Sequence, residues 1–453
     1  MRLKLDHLKG LDDRAKNVAL ALLCFLFFLL VYGITSRDDA RASDEVATFR
    51  TGITLVTEGH LYIDDLWKFQ HITPIGTKGI GDHLYSKYFP GNTISAGVIY
   101  LITAKQNDVP YIFNSPPYGT FELAPSEFGA RIALRLNALL GAFAMTTLLL
   151  LLKKHYQWEA AIVTVLLIGL TTDWWNESRM FYSEIGAGAF LIASLYFADN
   201  NNPYFCSLFL AISMQFRPTN IIAIPIWGYS LSNKKVKDFV SGLFLLAGLA
   251  LLGLYNYARF YSLFNFGYGN EGFTTPILAG LQGILLSPGH SLFLYSPILI
   301  LAITGSWLLF NKNRLFMIAM LASVLGYIIM ASLWDSWFGG TVWGSRLVVP
   351  IIPLLGVFVG AVVNELFVSQ NKRLLYTIIL LGVLGLTIQI LPIIQSPGIA
   401  FREFTQNGYA TQTDAIWSVS KNWLALEIKS LAHWNVCNLD SYSFRKLFLA
   451  CNQ

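Results

Sequence analysis

From Asn17 to Thr35 the chain runs nineteen residues without a charge. As a helix rising 1.5 Å per residue, that run is about 28 Å long, close to the ~30 Å apolar thickness of a bilayer. Comparable runs return at about 130–152, 239–257, 291–310, 315–333, 347–368 and 374–393. Charged residues are only 13% of the 453, where a soluble domain carries about 25%. Mean hydropathy is +0.51. The pattern predicts an all-α integral membrane protein.

Lys and Arg fall in short clusters between these runs. Five precede the first one (Arg2, Lys4, Lys9, Arg14, Lys16), and others sit at Lys153-Lys154, Lys234 to Lys237, Lys312 to Arg314 and Lys372-Arg373. Read by the positive-inside rule, these clusters mark the cytoplasmic side and give about eleven transmembrane helices. The N-terminus, residues 1–16, is then cytoplasmic, and the first run is a retained helix because no small-residue cleavage site follows it. The net charge of +5 lies in these clusters, so it does not indicate nucleic acid as a partner. Residues 17–393 read as the transmembrane domain and 394–453 as an external tail carrying Cys437 and Cys451, which can form a disulfide outside the cytoplasm or remain free thiols.

Six charges crowd into Ser36 to Glu45, where the first helix leaves the lipid. Val46, Phe49, Ile53 and Val56 recur at helical spacing, so residues 44–57 are expected to form an amphipathic interfacial helix with Ser43 as N-cap. Thr93 to Ala104 is too short to span and is expected as a second interfacial piece, within a first external segment of residues 36–128. Residues 105–128 read as a loop. Pro218 forbids a continuous helix through 204–232 and predicts two short ones meeting at Arg217.

With this topology, Asp44, Glu45, Lys87, Arg131, Glu177, Arg179, Glu184, Arg217, Arg259, Asp335 and Arg346 share the external face. Carboxylates can accept a proton from an alcohol, while arginines and lysines can hold a phosphate. The sequence has no P-loop, dinucleotide fingerprint, His-Glu-x-x-His or nucleophile elbow, and no metal-ligand spacing, so neither a cofactor nor a metal is expected. An external enzyme working without nucleotide would draw an activated group from a lipid carrier.

The pattern resembles the GT-C membrane glycosyltransferases, notably the protein O-mannosyltransferase and aminoarabinose transferase group. Their first external loop carries an acidic motif, here Ser43-Asp44-Glu45. Tyr85-Ser86-Lys87-Tyr88-Phe89-Pro90-Gly91 resembles the segment whose lysine contacts the lipid phosphate, with Lys-Tyr-Phe-Pro-Gly in place of Lys-Pro-Pro. Phe128 to Asn137 is similar to the start of the family's second helix. Phe181-Tyr182-Ser183-Glu184, Phe216-Arg217-Pro218-Thr219 and Trp337 to Arg346 look like patterns in bacterial members. The resemblance spans about residues 17–393. It implies a polyprenyl-phosphate-linked sugar as donor, a protein, lipid or polysaccharide acceptor, and a site facing the periplasm from a bacterial inner membrane.

On that resemblance Asp44, with Glu45, is expected as general base. Lys87, Arg217 and Arg346 are expected on the donor phosphate, and Tyr268 and Trp337 on sugar or acceptor. Simpler readings stand beside these. The acids also suit a helix N-terminus, Lys87 a snorkelling lysine, Arg217 and Arg346 interface anchors, and Trp334, Trp337 and Trp343 an aromatic belt. Asp173, Glu177 and Arg179 read as a surface salt-bridge cluster. The rival functions are a transporter or lipid-linked sugar flippase, which would carry ionisable groups along a mid-membrane path, and a non-catalytic assembly factor.

Overall fold

The computed structural model describes residues 13–37, 40, 42–70, 75–103, 111–115, 120–124, 132–232, 234–340, 342–395, 408 and 411–433. Helix α1 (Asp13–Thr35) has 23 residues, about 34 Å, and opens slightly earlier than its uncharged run. Its Leu22, Leu23, Leu26 and Leu30 are more than half exposed, whereas Phe28 and Tyr32 are buried. The Tyr32 hydroxyl donates to the Gly169 carbonyl at 2.9 Å. A continuous exposed leucine face is stable against lipid, not water, and the chain is an integral membrane protein.

Among the described residues, six helices are long and apolar enough to cross a membrane: Ala15–Thr35, Ile132–His155, Val236–Phe260, Arg314–Leu333, Arg346–Ser369 and Lys372–Ile394. Shorter helices stand at the other places where the sequence suggests passes: Trp158–Leu170, Ser183–Asp199, Pro203–Phe216, Pro297–Phe310, and the Pro218–Ala223 turn running into Ile224–Ser230. The basic ends gather together. Lys154 pairs with Asp199, His155 lies 3.1 Å from the same carboxylate, and its ring stacks on Phe316. Thr35, Glu184, Arg217, Phe260 and Leu333 sit at the opposite helix ends.

Helix α2 (Ser43–Thr57) follows the expected bounds but not the expected setting. Ala42 rather than Ser43 is the N-cap, with its N–H donating to the Glu45 carboxylate at 3.1 Å. The helix is largely buried instead of lying on the interface, because it packs on α3 (Pro90–Thr103). The two cross where Gly52 faces Gly97; a β-carbon at Gly97 would come within 2.6 Å of the Gly52 carbonyl oxygen. Strands β1 (Gly76–Lys78) and β2 (Leu84–Ser86) pair antiparallel beside them. Residues expected as loop contain a hairpin, β3 (Tyr111–Ser115) with β4 (Thr120–Ala124), in register Tyr111 to Ala124. A further helix, Ile277–Leu286, precedes Pro297–Phe310 and was hidden by its short length. In the tail, Trp423 is buried and packs with Tyr295 and Trp343 at the end of the bundle.

Candidate active site

Arg346 is the centre of the charged end of the bundle. Its Nη2 lies 2.6 Å from Asp44 Oδ2, and its Nε donates to Glu184 Oε1 at 2.8 Å. The guanidinium carbon is 3.7 Å from the centre of the Tyr182 ring. Arg217 Nη1 donates to the same Glu184 oxygen at 2.7 Å. Glu184 is buried, whereas the Asp44 side chain keeps 21% of its surface. Of the two acids on Arg346, Asp44 is the one that an incoming group can meet.

Local sequence sets each of these positions. Arg217 precedes Pro218, so it leaves the helix in an extended conformation (φ −146°, ψ 112°) at the end of Pro203–Phe216. Arg346 follows Gly344, whose φ of +65° suits glycine, and a β-carbon there would overlap the Asp173 carboxylate. Asp173 in turn accepts from the Ser345 N–H at 3.2 Å and from Gln389 Nε2 at 3.0 Å. That network fixes the backbone just before Arg346. Asp44 comes from the first turn of α2, where helix N–H groups favour a carboxylate.

Burial would raise the Asp44 carboxyl, but the Arg346 guanidinium and the Tyr88 hydroxyl hold it below its ordinary value. Burial pushes the Tyr88 phenol well up, with the Asp44 charge acting in the same direction, so Tyr88 stays protonated and donates. Lys87, beside it in sequence, pairs with Glu271 at 2.5 Å and sits 5.1 Å from the Tyr268 ring centre. Burial raises the Tyr268 phenol to about 12; among its charged neighbours are Arg217, Asp44, Glu271 and Glu184. Two guanidiniums, an ammonium, carboxylates of unequal exposure and two protonated phenols therefore meet in one place. Such a set can bind a phosphate by its cations and take a proton at its exposed acid.

No protein-family model matches the sequence, and no curated protein matches it. Solved structures do. ArnT from Cupriavidus metallidurans bound to undecaprenyl phosphate superposes with a TM-score of 0.51 at 12% identity, covering 96% of this chain and 77% of ArnT. The archaeal oligosaccharyltransferase AglB from Archaeoglobus fulgidus, in complex with an inhibitory peptide and a dolichol-phosphate, gives 0.52 at 12% identity over 85% of this chain and 59% of AglB. The same enzyme tethered to an acceptor peptide containing the NVT sequon gives 0.53. Both structures have the GT-C fold. The chain has the GT-C fold.

Within this GT-C fold, Asp44, Lys87, Arg217, Tyr268 and Arg346 come together from five separate stretches. Glu45 does not join them. It is wholly buried, takes the Arg37 guanidinium at 2.6 Å on both oxygens, and accepts from the Ala42 and Phe181 N–H groups. Its carboxylate is held in a buried ion pair with Arg37, whose own side chain is buried as well. Trp337 packs against His290, Phe338 and Trp417 and over Gly283. Trp343 is buried rather than part of an interfacial belt.

Asp173, Glu177 and Arg179 are all buried and form no surface cluster. Arg179 donates to the Thr35 carbonyl at 3.1 Å and to the Pro392 carbonyl at 2.6 Å, tying the ends of two spans together. Burial lifts the Asp173 carboxyl to about 7, and it raises Glu177 well above the carboxylate range with help from the Glu184 charge. Arg131, Cys437 and Cys451 lie outside the described residues. The sequence reading gave no role to Glu184, Tyr88 or Tyr182. For Glu184 a signal existed: it is the only charge near the start of Ser183–Asp199, two residues after Tyr182, in a helix otherwise uncharged until its last residue.

Proposed function

We propose that this protein is a glycosyltransferase that moves a sugar from a polyprenyl-phosphate carrier to a hydroxyl acceptor. The observation that carries the reading is Arg346 bridging the accessible Asp44 and the buried Glu184, with Arg217 on the same Glu184 oxygen, inside a GT-C fold. The neighbours captured with undecaprenyl phosphate and dolichol-phosphate support a lipid phosphate as the leaving group.

The acceptor O–H attacks the anomeric carbon, and its proton passes to Asp44 Oδ as the new glycosidic bond forms. The bond from that carbon to the phosphate oxygen breaks, and its electron pair stays on the phosphate. Arg346, Arg217 and Lys87 meet the charge developing there; preorganised cations of this kind lower the barrier because they need not reorient. The donor phosphate also competes with Asp44 for Arg346. Its arrival releases Asp44 from the pair and makes the carboxylate a better base at the moment it is needed. Glu184 keeps Arg346 and Arg217 in place during the exchange. On the positive-inside reading, the site faces the periplasm of a bacterial inner membrane, with the N-terminus in the cytoplasm.

The test is direct. Purified protein is incubated in proteoliposomes with undecaprenyl-phosphate sugars and a cell-envelope acceptor extract. Release of undecaprenyl phosphate with label in the acceptor supports the reading; intact donor across a panel of such lipids contradicts it.

A further inference from the structure

A cleft of about 600 Å³ opens between the Gly79–Gly81 turn and the end of the Gly242–Phe260 helix, and neither Asp44 nor Arg346 lines it. Its walls carry Lys78, Asp82, Phe260, Tyr261 and Asn265. Four non-glycine residues among the described ones have positive φ, and two of them line this cleft: Asp82 (62°) and Tyr261 (53°). Left-handed backbone at such residues is disfavoured and persists where surrounding structure holds it. The Tyr261 side is 69% exposed, and its ring is propped edge-on by Tyr257 at 5.8 Å. Phe260 closes the floor against Tyr85. Lys78 and Asp82 form an ion pair at 2.9 Å, so the walls present both signs and no strong net charge.

An open aromatic face beside a planar amide and a planar carboxylate matches the chemistry of a neutral sugar. The C–H face of a pyranose covers the ring, and its hydroxyls pair in plane with Asn and Asp. The cleft also belongs to the same piece of chain as the active site. Thr77 donates to the Gly267 carbonyl at 2.5 Å, Gly267 packs on Phe260 and on the Lys87 backbone, and the next residue is Tyr268. Asn265 in the cleft and Tyr268 in the site are three residues apart, about 11 Å at full extension. We infer that this cleft holds the distal sugar units of a neutral oligosaccharide acceptor whose reactive end extends past Tyr268 toward Asp44. The inference rests on the transferase reading and narrows its acceptor to a saccharide of several units.

The experiment uses the full chain in nanodiscs. Neutral glucose, mannose and N-acetylglucosamine oligomers of one to six units are titrated by saturation-transfer NMR, and a neutral peptide set is run in parallel. Affinity should rise with oligomer length in at least one series. Tyr261→Gly, which removes the ring and keeps the left-handed backbone, should weaken it about tenfold, while Tyr261→Phe retains it. Absence of binding in every series, binding unchanged in Tyr261→Gly, or peptide binding lost in Tyr261→Gly would overturn the inference. Undecaprenyl phosphate is titrated in the same samples. Its binding without saccharide binding removes the cleft and leaves the transferase, and the converse leaves a saccharide site without the proposed donor.

Discussion

Arg346 lies 2.6 Å from Asp44 and binds it through Nη2, leaving its Nε to Glu184. One guanidinium is thereby divided between a carboxylate that reaches the surface and one that does not. The division separates a replaceable contact from a fixed one, and several consequences can be measured.

In the proposed reaction, Asp44 sets the pH dependence. Its carboxyl is held below the ordinary aspartate value of about 3.9, so it is ionised throughout the neutral range. As a stability contribution, a depressed carboxylate is fully effective above its unfolded-state value and is lost as pH falls through its folded value. As the proposed base, it should give kcat/KM an acid limb below about pH 4. If bound donor claims Arg346, the limb for kcat should lie at higher pH than that for kcat/KM. Steady-state profiles from pH 3 to 8 in both parameters show which order holds; coincident limbs would mean that the pair survives donor binding.

Glu184→Gln leaves two guanidiniums beside a neutral amide in a buried place. Removal of one member of a buried pair costs about 3–5 kcal/mol. Thermal unfolding of the variant should show that loss, and adding Arg217→Gln should recover part of it, because the remaining guanidinium, Arg346, still has Asp44 as its partner. Equal stabilities of single and double variants would show that the shared oxygen is not what holds Arg217.

Glu45→Gln should separate the two acids of the first loop. It breaks the buried pair in which Arg37 Nη2 meets both Glu45 oxygens, and should lower stability by about 3–5 kcal/mol. Turnover per folded molecule should stay within a few-fold of the parent. A loss of turnover with stability intact would return Glu45 to the chemistry.

Lys87→Gln removes a cation whose side chain is 15% exposed and whose partner Glu271 is 34% exposed. Stability should change by less than about 1 kcal/mol, since partly solvated pairs contribute little. The donor KM should rise about tenfold with kcat less affected, as expected when a phosphate contact shared by substrate and transition state is lost. Reversed effects on KM and kcat would place Lys87 in the chemical step instead.

Much of the architecture was legible because lipid imposes a simple rule on sequence. Uncharged runs of about twenty residues give Arg314–Leu333 and Lys372–Ile394 within one or two residues, and Pro218 marks the break that exposes Arg217. The common face of Asp44, Lys87, Arg217 and Arg346 followed from counting passes. What escaped is tertiary. The sequence around Glu45 is indistinguishable from that around Asp44, and only the approach of Arg37 and the Phe181 N–H sets one acid in a buried ion pair. The charges of Asp173-Trp174-Trp175-Asn176-Glu177-Ser178-Arg179 suggest a surface, yet neighbouring carbonyls, Gln389 and the Gly344 loop bury them. Ile277–Leu286 is shorter than the length that flags a span.

The central claim is that Asp44 takes the acceptor proton while Arg346 holds the departing phosphate. The most direct test is single-turnover release of undecaprenyl phosphate by Asp44→Asn, with undecaprenyl phosphate binding measured on the same preparation. Asparagine keeps the shape and cannot serve as the base. Release should fall by about 10²–10⁴-fold with binding unchanged or tighter, since Arg346 is freed of its competitor. Release at the parental rate, with the protein folded and the lipid phosphate bound, would contradict the assignment of Asp44 as base.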